Sequence, residues 1–501
     1  MRLSEYADHD AVGLASLVAA GEVAPRELLD LAIEACEAVN PRINAVIATD
    51  FERARRAARA DLPDGPFRGV PFLVKDLTVE EGKVTTFGSV FFRNFTAETS
   101  ATMVSRMLAT GLISLGRTST PEFGLLPTTE PTLFGSTKNP WSLDHSPGGS
   151  SGGSAAAVVA GVVPMAHASD GGGSIRIPAS ACGIFGLKPS RGRMPRFPAS
   201  AADIVSTDLC VSRSVRDTAT MLDATHGAVP GDRYFVAPPD RPFAEAVARD
   251  PARLRVAYSL HDLRGERLDD DCIAAVESTA TLLDELGHEV IEGRPVLDAD
   301  ALADAFLELW AALAANAFEL ILAEVGRRRI GRAMKRVLGD HRTLRVLARL
   351  DERKTGMPAF EPFTRMLVDR SRRLSQGHYL LTDAYLQATS YELARFFESC
   401  DVWLTPTLGS APVRIGEIDQ SVEWEVIREQ VERYVPFTPI ANFSGRPAMS
   451  VPLHWTGNGL PVGSHFLGEP GAEATLLGLA GQLERARPWW NRRPPSSIDA
   501  T

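Results

Sequence analysis

Two glycine clusters embedded in apolar sequence constrain this chain more than any other feature. One is Pro147 to Gly153, PGGSSGG. The other is Gly171 to Gly173, between Asp170 and Ser174. Glycine lets a backbone take positive φ and lets two segments approach closely. In a flexible linker such residues keep polar company. Here SAAAVVAGVVPMAHAS separates the clusters, and IRIP follows the second. They therefore read as ordered turns inside a packed core. Consecutive glycines can also turn several N–H groups into one concavity. At Gly171, Gly172 and Gly173 that concavity would open beside the hydroxyl of Ser174.

The chain has 501 residues and 44% hydrophobic composition, enough for a sizeable core. A net charge of −10 gives a surface that repels phosphate backbones, so no nucleic-acid partner is expected. Cys36, Cys182, Cys210, Cys272 and Cys400 are far apart and show no metal-ligand spacing. Neither a metal site nor a disulfide framework is expected from them. Such usage fits a reducing, cytoplasmic location. Met1 to Asp10 shows no signal-peptide pattern. The longest apolar run, Ala155 to Ala166, is too short to span a bilayer and reads as a buried helix. No membrane partner is expected.

Apolar spacing predicts helices over Ala11 to Gly21, Pro25 to Val39, Phe51 to Arg59 and Ala101 to Ala109. Asn40 to Ala48 reads as extended. Val70 to Val74 and Leu112 to Leu115 read as strands, and their alternation with helices predicts a mixed, mostly parallel sheet. Further strands are expected at Leu254 to Leu260, from Val290, and at Trp403 to Pro406, Ala448 to Leu453 and Gly459 to Gly468. Asp271 to Gly287 and Ala472 to Ala486 read as helices, and Asp298 to Leu374 as largely helical.

Cutting an unactivated amide needs a nucleophile deprotonated as it attacks and a stabilised oxyanion. Ser174 and the glycines before it could supply both. Lys75 ends the apolar strand VPFLV. Burial there would disfavour its charged form, whose ordinary pKa is about 10.4, and leave a neutral base.

The run from Pro147 to Pro189 closely resembles the amidase signature family. Further matches are VPFLVKDL (Val70 to Leu77), SLGRTSTPE (Ser114 to Glu122), Asn139-Pro140-Trp141, Thr405-Pro406-Thr407, NFSGRPAMSVP (Asn442 to Pro452) and Gly459 to Gly468. The resemblance covers nearly the whole chain and is weakest between about residues 230 and 400. It implies an α/β fold, a large mixed β-sheet sandwiched between α-helices. A single domain over 1–501 would hold a signature core near 65–225, a variable helical region near 230–400 over the pocket, and a C-terminal return to the sheet near 401–490.

The resemblance also implies an amidohydrolase for linear or cyclic carboxamides, with no cofactor and no metal. Ser174 would be the nucleophile and Ser150 the bridging serine, usually preceded by a cis peptide bond. The spacing, 174 − 150 = 24, is the family's. Lys75 would be the terminal base, and Gly171, Gly172 and Gly173 the oxyanion hole. Ser151, Asp170 and Arg176 match supporting positions. The partner would be a small-molecule amide, and a homodimer is a further family-level expectation. NPRINAVI, KDLTV and TTEP are most similar to nylon-oligomer-type amide hydrolases. The segment GLLPTTE nominates Leu125 and Thr128 for the pocket. Trp310, Ala314 and Phe318, at helical spacing, are pocket or core. His465 stands where the family usually has glutamine.

Two other readings stay open. Gly148 to Gly152 and Gly149 to Gly153 both spell G-x-S-x-G, the nucleophile elbow of Ser-His-Asp esterases. That elbow needs a preceding strand, and Trp141 to Ser146 is a poor one. His226, His288, His454 and His465 would be its candidate bases. The other reading is a subunit of an amidotransferase complex. The basic run Arg327 to Arg336 reads as a solvated helix face, or as one that pairs with acidic helices or rims the substrate entrance.

Overall fold

The strands divide between two sheets that meet along a seam. The computed structural model describes residues 1–198, 200–329, 349 and 352–498, with backbone alone at 201 and 317–329. The side chains of the basic run Arg327 to Arg336, and of Phe318, lie outside the described residues.

β1 (Val46–Thr49), β2 (Pro71–Lys75) and β3 (Ile113–Thr118) form a small sheet in the order β1-β3-β2. The others are β4 (Met165–Asp170), β5 (Phe185–Lys188), β6 (Thr207–Ser212), β7 (Arg255–Tyr258), β8 (Glu289–Glu292), β9 (Val402–Pro406), β10 (Ala448–Trp455) and β11 (Pro461–Gly468). They form an eight-stranded mixed sheet in the order β4-β6-β5-β10-β11-β9-β7-β8. All residues of β5, β6, β9 and β11 are buried, so both faces are covered. The helices Arg176–Cys182, Asp270–Glu285 and Glu473–Ala486 pack against its central strands.

The expected mostly parallel sheet is corrected. β2 and β3, joined through the helix Thr102–Ala109, are indeed parallel. In the large sheet only β9–β7 and β7–β8 are parallel, and the remaining neighbours run antiparallel. The short turn between β10 and β11 allows that pair no other sense. Asn40 to Ala48 is also not extended throughout. The helix Pro25–Ile43 runs on through Pro41, and Asn44, at φ 49°, closes it. The Asn40 side chain then accepts from the N–H groups of Ala45 and Val46 at 2.9 and 2.8 Å.

At the seam, β2 of the small sheet lies against β4, the end strand of the large one. The turn PGGSSGG is wedged above this line. A Cβ at Gly149 would come within 2.6 Å of the Thr128 carbonyl oxygen, and one at Gly153 within 2.4 Å of the Ser119 nitrogen. These glycines are demanded by backbone on backbone. Gly153→Ala is therefore expected to destabilise the protein by about 1–3 kcal/mol, the usual cost of overpacking a tight core. Urea unfolding would measure it, and an unchanged midpoint would contradict the packing described.

Candidate active site

Lys75 is the last residue of β2 and is fully buried. Its Nζ lies 2.7 Å from Ser150 Oγ, 2.9 Å from Ser151 Oγ and 3.0 Å from Ser169 Oγ. The first two serines come from the glycine turn, and a cis peptide bond joins Gly149 to Ser150. The third comes from β4, across the seam. Burial pushes the Lys75 pKa down to about 7, against an upward pull from Asp208 and Asp170. Asp208 stands opposite Ser169 in the β4–β6 ladder and pairs with Arg196.

Asp170 follows Ser169 and ties the second glycine cluster in place. Its carboxylate accepts from the N–H groups of Gly173 at 2.7 Å and Ile175 at 3.2 Å, and from Arg176 Nε and Nη2 at 2.9 and 3.0 Å. Burial opposes ionisation of Asp170, but the Arg176 guanidinium overcomes it and holds the carboxyl well below its usual range. Arg176 also donates to Asn442 Oδ1 at 2.7 Å and meets His465 Nε2 at 2.9 Å. Arginine has no lone pair to offer, so His465 Nε2 accepts. The proton of the ring then sits on Nδ1, 3.2 Å from Thr405 Oγ1. Burial and the neighbouring Arg176 push the His465 pKa well down, consistent with a neutral ring.

The glycine cluster is as constrained as the turn. Gly173 has φ 134°, and a Cβ there would meet Thr438 Oγ1 at 2.3 Å. Its N–H is committed to Asp170, which corrects its expected place among the oxyanion donors. Gly171, Gly172 and Ser174 border open space and retain that opportunity.

The family described as Amidase matches residues 27–477. The chain belongs to the amidase signature family. Among similar proteins, the 6-aminohexanoate-cyclic-dimer hydrolase of Paenarthrobacter ureafaciens is 36% identical over 97% of this chain and 96% of its own length. A putative amidase, AmiB2, of Mycobacterium tuberculosis is also 36% identical, over 97% of this chain and 98% of its own. A solved 6-aminohexanoate cyclic dimer hydrolase in complex with substrate superposes with TM-score 0.86 at 34% identity, covering 98% of this chain and 99% of that one. A bacterial aryl acylamidase superposes with TM-score 0.80 at 26% identity, covering 96% of each chain.

In this amidase two cavities reach Ser174. Leu125 and Trp310 line both, and Ala314 lines one. Thr128, the other pocket candidate, is corrected: it is buried outside both, with its carbonyl oxygen against Gly149. Residues that sequence reasoning missed include Ser169, Asn442 and Phe306. Ser169 carried a signal as the residue before Asp170 on the strand leading into the glycine cluster, and Asn442 carried one as the first residue of the matched NFSGRPAMSVP.

The Ser-His-Asp reading finds no support here. No strand covers Trp141 to Ser146, and among the described residues no histidine lines either cavity. His288 accepts from the Leu254 N–H, and His465 is held by Arg176. No helix among the described residues is long and apolar enough to cross a membrane.

The glutamine usual at His465 could offer Arg176 the same acceptor. His465→Gln is thus expected to hold stability within about 1 kcal/mol, whereas His465→Leu, leaving a buried donor unmet, loses about 1–3 kcal/mol. Equal thermal stability of the two variants would contradict the assigned role.

Proposed function

We propose that this amidase cleaves carboxamides through an acyl-enzyme on Ser174, with Ser150 and Lys75 relaying the proton. The observation that carries the reading is the fully buried Lys75 amine within 3.0 Å of three hydroxyls. A neutral amine has two N–H donors and one lone pair. Ser151 Oγ donates to the Ser169 carbonyl at 3.2 Å, so it accepts from Lys75. The second N–H goes to Ser169. The lone pair is then left for the hydroxyl of Ser150.

From there the chemistry balances. Ser174 passes its proton to Ser150 as Ser150 passes its own to Lys75. Among the described residues no hydrogen bond yet joins Ser174 to Ser150, and substrate alignment would complete that arm. Ser174 Oγ bonds to the carbonyl carbon, and the π electron pair moves onto oxygen. Amides of Gly171, Gly172 and Ser174 are the donors available to that oxyanion. Its collapse breaks the C–N bond, and the proton returns from Lys75 through Ser150 to the leaving nitrogen. Water then attacks the acyl-enzyme by the same relay, releasing the acid and restoring Ser174. Similarity to the cyclic-dimer hydrolases brings cyclic and linear oligoamides into the proposed substrate range.

Ser174→Ala and Lys75→Ala are each expected to lower kcat/KM on the order of a thousandfold or more in a purified-chain assay on free amides. Undiminished turnover by either would end the proposal. The pH dependence has a definite sign. Only the unprotonated amine accepts a proton, and the lowered Lys75 pKa is about 7. kcat/KM should therefore fall about tenfold per pH unit below that point and level off above it. A profile flat from roughly pH 5 to 8 would contradict a lysine base.

A further inference from the structure

The helix Ala299–Arg329 brings Trp310 into the catalytic cleft. One end of the indole rests on the glycine loop: a Cβ at Gly171 would lie 3.1 Å from Cη2 and 3.2 Å from Cζ3. The other end donates from Nε1 to the Leu125 carbonyl at 3.2 Å. Phe306 stacks on the ring at 5.7 Å with an interplanar angle of 20°, and abuts Gly172. The indole is thus a crossbar from the oxyanion loop to Leu125. The indole lines both cavities, which share Ser174. Gly172 borders only the smaller, of about 130 Å³, and Gly171 only the larger, of about 520 Å³.

We propose that Trp310 divides the cleft into an acyl side and an amine side, and that the site takes secondary amides with a small apolar acyl group and a larger, aromatic-bearing amine. This rests on the acyl-enzyme reading. The leaving nitrogen must collect its proton from Ser150, so it departs on the side where Ser150 lies. That is the larger cavity, which also holds Ser169 and is walled by Phe87, Phe95, Phe123 and Phe197. The acyl group is left for the smaller one, lined by Leu126, Ile177, Phe306 and Phe443. Dispersion and burial suit an aryl or arylalkyl amine on the first side and a short aliphatic acyl chain on the second.

A pair of isomers tests this. N-(2-phenylethyl)acetamide and N-methyl-3-phenylpropanamide have the same formula and similar alkyl-amide reactivity, but opposite placement of bulk. The wild type is expected to favour the first by at least about tenfold in kcat/KM, within the range one pocket can discriminate. Trp310→Ala should shrink the ratio to within about threefold by joining the cavities, while Trp310→Phe keeps a preference. A wild-type ratio near one, or reversed, would overturn the proposal. So would an unchanged ratio in Trp310→Ala whose thermal melt shows it folded. If that variant fails to fold, the wild-type ratio decides by itself. Turnover of butanamide with neither isomer cleaved would also overturn it. Loss of turnover on every amide, butanamide and 6-aminohexanoate cyclic dimer included, would instead strike the acyl-enzyme reading.

Discussion

An amine taken out of water at the meeting line of two sheets is the constraint on which this structure depends. Lys75 belongs to the small sheet, and Ser169 to the end strand of the large one. Their contact, with those to Ser150 and Ser151, closes the seam through polar atoms where a core would ordinarily use methyl groups. A charged ammonium would be costly in that place, because burial removes its hydration. Three hydroxyls suit the neutral form, since together they can both accept and donate. Asp208 and Asp170 pull the other way and keep the group within reach of neutral pH. Structural requirement and proposed chemistry thus coincide in one atom.

The surroundings hold that atom against tight backbone. The Asp170–Arg176 fork, fully buried, anchors the glycine loop through two N–H groups and is itself satisfied by Asn442 and His465. Such a pair adds little net stability by itself, yet either partner alone would be a buried uncompensated charge. Its contribution is to set geometry. The clusters need glycine for a related reason: Thr128, Ser119 and Thr438 leave no room for a Cβ.

Much of the site was legible because its demands on sequence are severe. Only glycine suits the close approaches around Ser150 and Ser174, whereas a lysine at the end of an apolar strand reads by itself as a snorkelling surface side chain and gains its catalytic reading from the serine motif. The proximity of Lys75 to Ser150 followed from those demands together with family resemblance. What stayed hidden depends on tertiary partners. β6, TDLCVS, lacks an apolar signature because its polar residues are buried against partners, Ser212 with Thr218 and Asp208 with Arg196. Strand sense was misjudged by extending the local β2–helix–β3 pattern to a sheet whose strands mostly pair with partners distant in sequence, and to β10 and β11, which return by a short turn. Thr128 was mistaken for a pocket residue because neighbouring Leu125 does face the cleft. Trp310 could not be told from core, since a crossbar is defined by what lies at its two ends.

The proposed chemistry requires Lys75 to be neutral at ordinary pH, and that can be observed directly. The chain has six lysines, Lys75, Lys83, Lys138, Lys188, Lys335 and Lys354, few enough for selective side-chain labelling. An NMR titration of ε-carbon-labelled lysine, with Lys75→Met and Lys188→Met spectra for assignment, would track each amine. Lys188 needs its own control because burial lowers it to about 7 as well. A Lys75 midpoint near 7 is the predicted result. A midpoint at the ordinary lysine value of about 10.4 would contradict a neutral base at this seam.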